Sequence, residues 1–344
     1  MRPILFEVFG VAIPSYFTLL TGGFLLCLLL AYRDAPRLGL DPEDVLDLGL
    51  WVLLAGLFGA RLLHVVADGF FMDYMHLCTD PLQVDVPSFI HVPCAVDGDC
   101  VAAQAGALCD PAAGRCHPAR DCFAWLKFWQ GGLAFFGGLL AALAVGLRFM
   151  ARRGMARARV LDLGGFAVPL ALGVGRVGCF LAGCCFGQPT AGPFGVVFDG
   201  AVRALGPNAT CPPGWDRVAT VAGDAICAVG RPAVLEQAEQ GLLHAGAHGS
   251  LPVHPTQLYE AALALALFVG VYALRRRLVG RAFWVFAAGY GAGRFAIELL
   301  RADDRGLWLG GALSTSQLIA VPVVAYALYR LARPAADVPP VKGP

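Results

Sequence analysis

The chain has 344 residues, 58% of them hydrophobic and only 15% charged, with a net charge of +1 and a mean hydropathy of +0.65. A soluble domain carries roughly 25% charged residues, so this composition excludes a surface that faces water throughout. The near-zero net charge excludes nucleic acid as an electrostatic partner.

Seven apolar stretches approach the ~20 residues that a bilayer core requires. They are 13–32, 47–67, 132–150, 160–182, 256–274, 282–300 and 314–332. The expected fold is an all-α integral membrane protein of seven transmembrane helices. The first run, Ile13 to Tyr32, lacks a small-residue cleavage site followed by a soluble domain and reads as a retained helix. The chain divides into 1–67 with two spans, 68–131 as a cysteine-rich insertion and 132–182 with two more spans. A second polar arm (183–255), three last spans (256–333) and a Pro-rich, disordered tail (334–344) follow.

Basic residues of the short connections fall on one side: Arg33 and Arg37, then Arg152, Arg153, Arg157 and Arg159, then Arg275, Arg276, Arg277 and Arg281, then Arg330 and Arg333. The positive-inside rule assigns that side to the cytoplasm. The N-terminus then lies outside and the C-terminus in the cytoplasm. Segments 68–131 and 183–255 face outward.

Cysteine usage agrees with that topology. Of 12 cysteines, Cys78, Cys94, Cys100, Cys109, Cys116 and Cys122 cluster in the first outer segment, and Cys211 and Cys227 lie in the second. Clustered, even-numbered cysteines in a loop-rich segment read as a disulfide framework in an oxidising compartment. A metal reading is weaker, because no C-x-x-C or closely spaced His pair is present there. The spacing does not define the connectivity. Asp97 and Asp99 in this segment read as a solvated turn rather than a Ca²⁺ site.

Four motifs carry chemistry. GGLAFFGGLL, Gly131 to Leu140, opens the third span, and its paired glycines suit close helix packing or approach of a ligand. GRVGCFLAGCCFG, Gly175 to Gly187, places Arg176 in an apolar run, where an unpaired charge costs on the order of 3 kcal/mol. HPTQLYE, His254 to Glu260, puts His254, Gln257, Tyr259 and Glu260 where the chain re-enters the membrane and each polar group needs a partner. GYGAGRFAIELLR, Gly289 to Arg301, spaces Tyr290, Arg294, Glu298 and Arg301 by four, four and three residues, one polar stripe on a helix. Such a stripe cannot face lipid. Arg176 and Arg294, both near the outer ends of their spans, suit bidentate capture of a phospholipid phosphate in an internal cavity.

Together these motifs resemble the prolipoprotein diacylglyceryl transferase family across the membrane region, leaving the cysteine-rich insertion outside the likeness. The resemblance implies a seven-helix bundle with a periplasmic head and arms. It implies transfer of the diacylglyceryl group from phosphatidylglycerol to the lipobox cysteine of a prolipoprotein signal peptide, releasing glycerol 1-phosphate, with no metal or organic cofactor. Arg176 and Arg294 match the family's essential arginines and Tyr290 its tyrosine, while Glu298 and Arg301 match a helix-lining pair. Tyr16 corresponds to a lipid-site tyrosine and Gly187 to the closing glycine of the long motif. Gln257 and Tyr259 join the lipid-binding set, and His254 and Tyr290 are the candidates for taking the thiol proton.

Two positions depart from the family pattern. Phe136 stands where many members carry a histidine, and Cys179 where many carry an asparagine. Phenylalanine has no proton to exchange, so either the base lies elsewhere or the chain is a non-catalytic lipid-binding or transport relative. A membrane thiol oxidoreductase, built on Cys184 and Cys185 with Cys179 near, is a further alternative.

Overall fold

The computed structural model describes residues 4–8, 11–67, 69–84, 94–102, 106–127, 132–205, 211, 215–221, 225–302, 306–308 and 312–334. The chain begins with β1 (Ile4–Val8), β2 (Val11–Pro14), α1 (Ser15–Asp34), α2 (Pro42–Ala67) and α3 (Phe71–Thr79). Then come α4 (Asp97–Ala102), β3 (Leu108–Asp110), β4 (Arg115–His117), α5 (Phe135–Arg152) and α6 (Arg157–Ala182). The second half contains β5 (Gly200–Ala204), β6 (Asp216–Ala219), β7 (Ala225–Gly230), α7 (Pro232–Glu239) and α8 (Thr256–Leu274). It closes with α9 (Ala282–Glu298), β8 (Leu307–Trp308), β9 (Leu313–Ser314) and α10 (Thr315–Ala332). The tail expected to be disordered falls almost wholly outside the described residues.

The long helices coincide with the seven predicted stretches. Among the described residues, α1, α2, α5, α6, α8 and α10 are long and apolar enough to cross a bilayer. Helix α9 has 17 residues, the lower limit of about 17 for a span. The chain is a multi-pass helical membrane protein. The short strands are the difference from expectation. They run from two residues in β8 to six in β7, too short for alternation to stand out in the sequence.

Two compact units form. The first comprises Met1–Leu46, Met155–Thr210 and Thr220–Pro344. Here α6 is the central helix, packed by α1, α8 and α9, with α10 against α9. At the end of the unit that holds the arginine-rich connections, Asp34 Oδ2 accepts from Arg275 Nε at 2.8 Å. Asp162 accepts the backbone N–H groups of Gly280 and Ala282. At the other end Phe186, Phe198, Ala233 and Val253 form a small buried core, with Phe180 and Ala302 against it. The antiparallel β5–β7 pair is joined to α7 on one side of that core.

The second unit comprises Asp47–Gly154 and Cys211–Ala219. The GGLAFFGGLL motif serves packing: Gly137 meets Gly59, and Gly138 meets Gly56, so α2 and α5 approach at their backbones. Arg61, buried within α2, donates to the carbonyls of Ala124 (2.7 Å), Trp125 (2.8 Å) and Gly132 (3.1 Å). Phe136 is exposed on α5.

The cysteine-rich insertion forms the expected disulfides. Cys94–Cys109 and Cys100–Cys116 interleave inside a loop closed by Cys78–Cys122. Cys100, Cys109 and Cys116 are buried on one another with Cys94 packed against them, so sulfur replaces a hydrophobic core. Cys211 and Cys227 are also disulfide-bonded. Both acids of the expected turn serve the backbone. Asp97 accepts from the Cys109 N–H at 2.7 Å, and Asp99 from Ala95 at 2.8 Å and Val96 at 3.1 Å. Those amides hold the Asp99 carboxyl below its ordinary range.

Candidate active site

Four helices of the first unit bring their polar residues to one end of the bundle. Arg176 lies near the C-terminus of α6 and Glu260 in the first turns of α8. Tyr290, Arg294 and Glu298 line the second half of α9. Ser314 caps α10 through a reciprocal pair of hydrogen bonds with Gln317.

Glu260 is the hub. Its carboxylate is fully buried and accepts three ligands from two helices. Arg176 Nε lies 3.0 Å from Oε2, Arg294 Nε 3.3 Å from Oε1, and the Tyr290 hydroxyl donates to Oε1 at 2.7 Å. Arg294 also pairs with Glu298 through Nη1. Ser314 Oγ donates to Glu298 at 2.8 Å and ties that carboxylate to α10. A buried carboxylate in an apolar bundle persists because both oxygens are paired with guanidiniums and one also accepts the Tyr290 hydroxyl.

Arg301 reaches the same cluster from beyond the end of α9. The polar stripe was expected to run along one helix to Arg301. Helix α9 instead ends at Glu298, and tight i→i+3 turns carry the chain on, with Arg301 N–H donating to the Glu298 carbonyl at 3.2 Å. The Arg301 side chain then lies 3.9 Å from both Glu260 and Glu298. The stripe spacing survives because a tight turn places residue i+3 on nearly the same face as a helix does.

Gly187 makes that turn possible. It forms an isolated antiparallel bridge with Arg301, its N–H donates to the His254 carbonyl at 2.9 Å, and the next N–H, of Gln188, donates to Leu300 at 2.7 Å. A Cβ at Gly187 would sit 2.5 Å from the Leu300 carbonyl oxygen and 2.8 Å from His254 Cβ. Only glycine lets three backbone segments meet there.

The remaining predicted residues divide. Tyr16 is half-buried, and its backbone packs against Gly178, two residues from Arg176 and next to Cys179. Gln257 is buried, but it serves the backbone, donating to the Cys184 carbonyl at 2.6 Å. His254 and Tyr259 pair with each other, Nδ1 to hydroxyl at 3.3 Å, outside the Glu260 hub. The residue whose role sequence reasoning missed is Glu260. Its signal was present: a carboxylate entering the membrane beside no obvious cation demands a partner, and two arginines at matching depth lacked one.

The cluster can hold an anion. Among the described residues, three guanidiniums (Arg176, Arg294, Arg301) face two carboxylates (Glu260, Glu298). Three guanidiniums converging at one buried point suit an anion, because charge acts strongly in a water-poor setting.

Residues 3–88 and 116–333 match the family profile described as prolipoprotein diacylglyceryl transferase. The chain belongs to that family. The unmatched interval, 89–115, holds both ends of the Cys94–Cys109 disulfide and one end of Cys100–Cys116. Three relatives, each named phosphatidylglycerol–prolipoprotein diacylglyceryl transferase, illustrate the similarity. That of Clostridium tetani is 24% identical over 323 residues, 93% of either chain. That of Solidesulfovibrio magneticus is 33% identical over 217 residues, 62% of this chain and 65% of the relative. That of Vibrio vulnificus is 26% identical over 328 residues, 94% and 87% respectively. Membership of the transferase family supports the transferase reading over the membrane thiol oxidoreductase.

Proposed function

We propose that this chain is a phosphatidylglycerol–prolipoprotein diacylglyceryl transferase of the bacterial inner membrane, and that Arg176, Arg294 and Arg301 bind its phospholipid. The observation that carries the reading is the convergence of three guanidiniums on Glu260. A phosphodiester headgroup is an anion that such a convergence would hold. The relatives' names specify phosphatidylglycerol and prolipoprotein, which fits a phosphate at this depth.

In this reading the lipobox cysteine of the prolipoprotein is the nucleophile. Its thiol loses a proton, its sulfur bonds to the glyceryl carbon bearing the phosphate ester, and that carbon–oxygen bond breaks. The leaving group is glycerol 1-phosphate, whose phosphate gains negative charge as the bond breaks. Arg176 and Arg294, already oriented by Glu260, stabilise that charge in the transition state. Arg301, set by Gly187, and Glu298 complete the headgroup site, and Tyr16, Gln257 and Tyr259 border it.

Tyr290 has its hydroxyl hydrogen committed to Glu260. His254 is the other candidate base, and imidazole is the commonest general base near neutral pH. We assign the proton acceptance to His254. The arginine-rich connections support a cytoplasmic C-terminus and a periplasmic active-site end, with segments 68–131 and 183–255 also in the periplasm.

The test uses purified protein, phosphatidylglycerol vesicles and a lipobox peptide. Diacylglyceryl-peptide and glycerol 1-phosphate should form in equal amounts. Lipid binding without either product would leave the non-catalytic alternative standing.

A further inference from the structure

Cys179, Cys184 and Cys185 bring their sulfur atoms within 4.8 Å of one another, with Cys179 buried and the other two half-buried. Eight other cysteines of the chain are disulfide-bonded, whereas these three are reduced thiols.

The corner that holds them is locked by its backbone. Helix α6 ends with the N–H groups of Gly183 and Cys184 on the Cys179 carbonyl, at 2.9 and 3.2 Å. The carbonyls of Cys184 and Cys185 are taken by α8: Gln257 donates to the first and Thr256 to the second, at 2.6 and 2.9 Å. Both donors are fully buried. Cys185 has φ 62°, the single positive-φ non-glycine among the described residues. That conformation is unfavourable for a residue with a β-carbon and persists only where the surroundings impose it. Here it turns the Cys185 side chain back toward Cys179 and Cys184. Metal–sulfur bonds of about 2.3 Å place ligating sulfurs roughly 4 Å apart, the spacing this corner provides.

We propose that these three thiols form a binding site for one soft, thiophilic monovalent ion of the Cu(I) type. Three soft thiolates complete the shell of such an ion, whereas Zn²⁺ would need a fourth ligand from water, and no His, Asp or Glu of the described residues shares the cluster. Three thiolates and one monovalent cation carry a net double negative charge. Arg301 and Arg176 lie within electrostatic reach of Cys185 and offset it. Binding releases the three thiol protons to solvent and moves no electrons. The site borders the lipid site proposed above, since Arg176 and Arg301 serve both, and its test reads metal uptake rather than transfer.

The experiment is competition for Cu(I), kept reduced by ascorbate and buffered by bicinchoninate, using the full chain in detergent. Wild type and Cys27→Ser should each take one ion per chain. Cys179→Ser/Cys184→Ser should compete at least tenfold less well. Absence of uptake by wild type, or equal uptake by the double variant, overturns the site. A second measurement on wild type alone guards against misfolding of the variant. N-ethylmaleimide should label Cys179, Cys184 and Cys185 at least tenfold more slowly in the loaded chain, with Cys27 unaffected, as read by peptide mass. Equal labelling rates overturn the proposal.

Discussion

Arg176 Nε sits 3.0 Å from one oxygen of Glu260, and that carboxylate's other oxygen is taken by Arg294 and Tyr290. One acid therefore aims two arginines from two helices at a shared space before any lipid arrives. Orientation established in advance costs nothing at the moment of reaction. Arg176→Ala should lower transfer to the lipobox peptide at least 100-fold while the protein still partitions into membranes. Arg176→Lys should recover only part of the loss, because an ammonium cannot hold Glu260 and a phosphate together as a planar fork does. A lysine variant with wild-type turnover would contradict the clamp.

Glu260→Gln keeps an oxygen for the Tyr290 hydroxyl but removes the charge between the guanidiniums. Removing one partner of a buried pair typically costs about 3–5 kcal/mol. The variant should melt earlier in detergent and lose transfer. Glu298→Gln should cost less, since the amide oxygen can still accept from Ser314 and Arg294 retains Glu260.

Gly187→Ala tests whether Arg301 is placed by its backbone bridge. The added methyl meets the Leu300 carbonyl, His254 and Thr256, so the strand must shift at a cost of about 1–3 kcal/mol. Transfer should fall at least tenfold, mainly through weaker phosphatidylglycerol binding. Gly22→Ala, where nothing lies within 4 Å of the new methyl, should match wild type in the same titration.

If His254 accepts the thiol proton, His254→Ala should depend on thiolate formed without help. Its transfer rate at pH 7 should drop, then climb with rising pH toward the cysteine's own pKa of about 8.5. Wild type should flatten earlier in the same pH series. Parallel pH profiles for the two proteins would remove His254 from the reaction.

The Cys78–Cys122 bridge closes a span of 44 residues, and loop-closure entropy puts its contribution at about 4 kcal/mol. Cys78→Ser/Cys122→Ser should expose the 71–127 region to limited proteolysis while the interleaved inner bridges stay intact by mass. Unchanged protease resistance would show that the inner bridges suffice.

Hydropathy and charge bias in the sequence alone determined the membrane helices, because a bilayer demands about 20 apolar residues whatever their partners. Clustered polar loops likewise announced the disulfides, and the four motifs named most of the arginine cluster, since a charge in an apolar run has few structural excuses. The tertiary structure decided which groups meet. Glu260 became the hub, Arg301 arrived by a turn past the end of α9, Gln257 went to the Cys184 carbonyl, and Arg61 went to backbone carbonyls in its own unit. Those outcomes depend on helix rotation and on backbone crossings between residues far apart in the chain. Local periodicity carries no information about either.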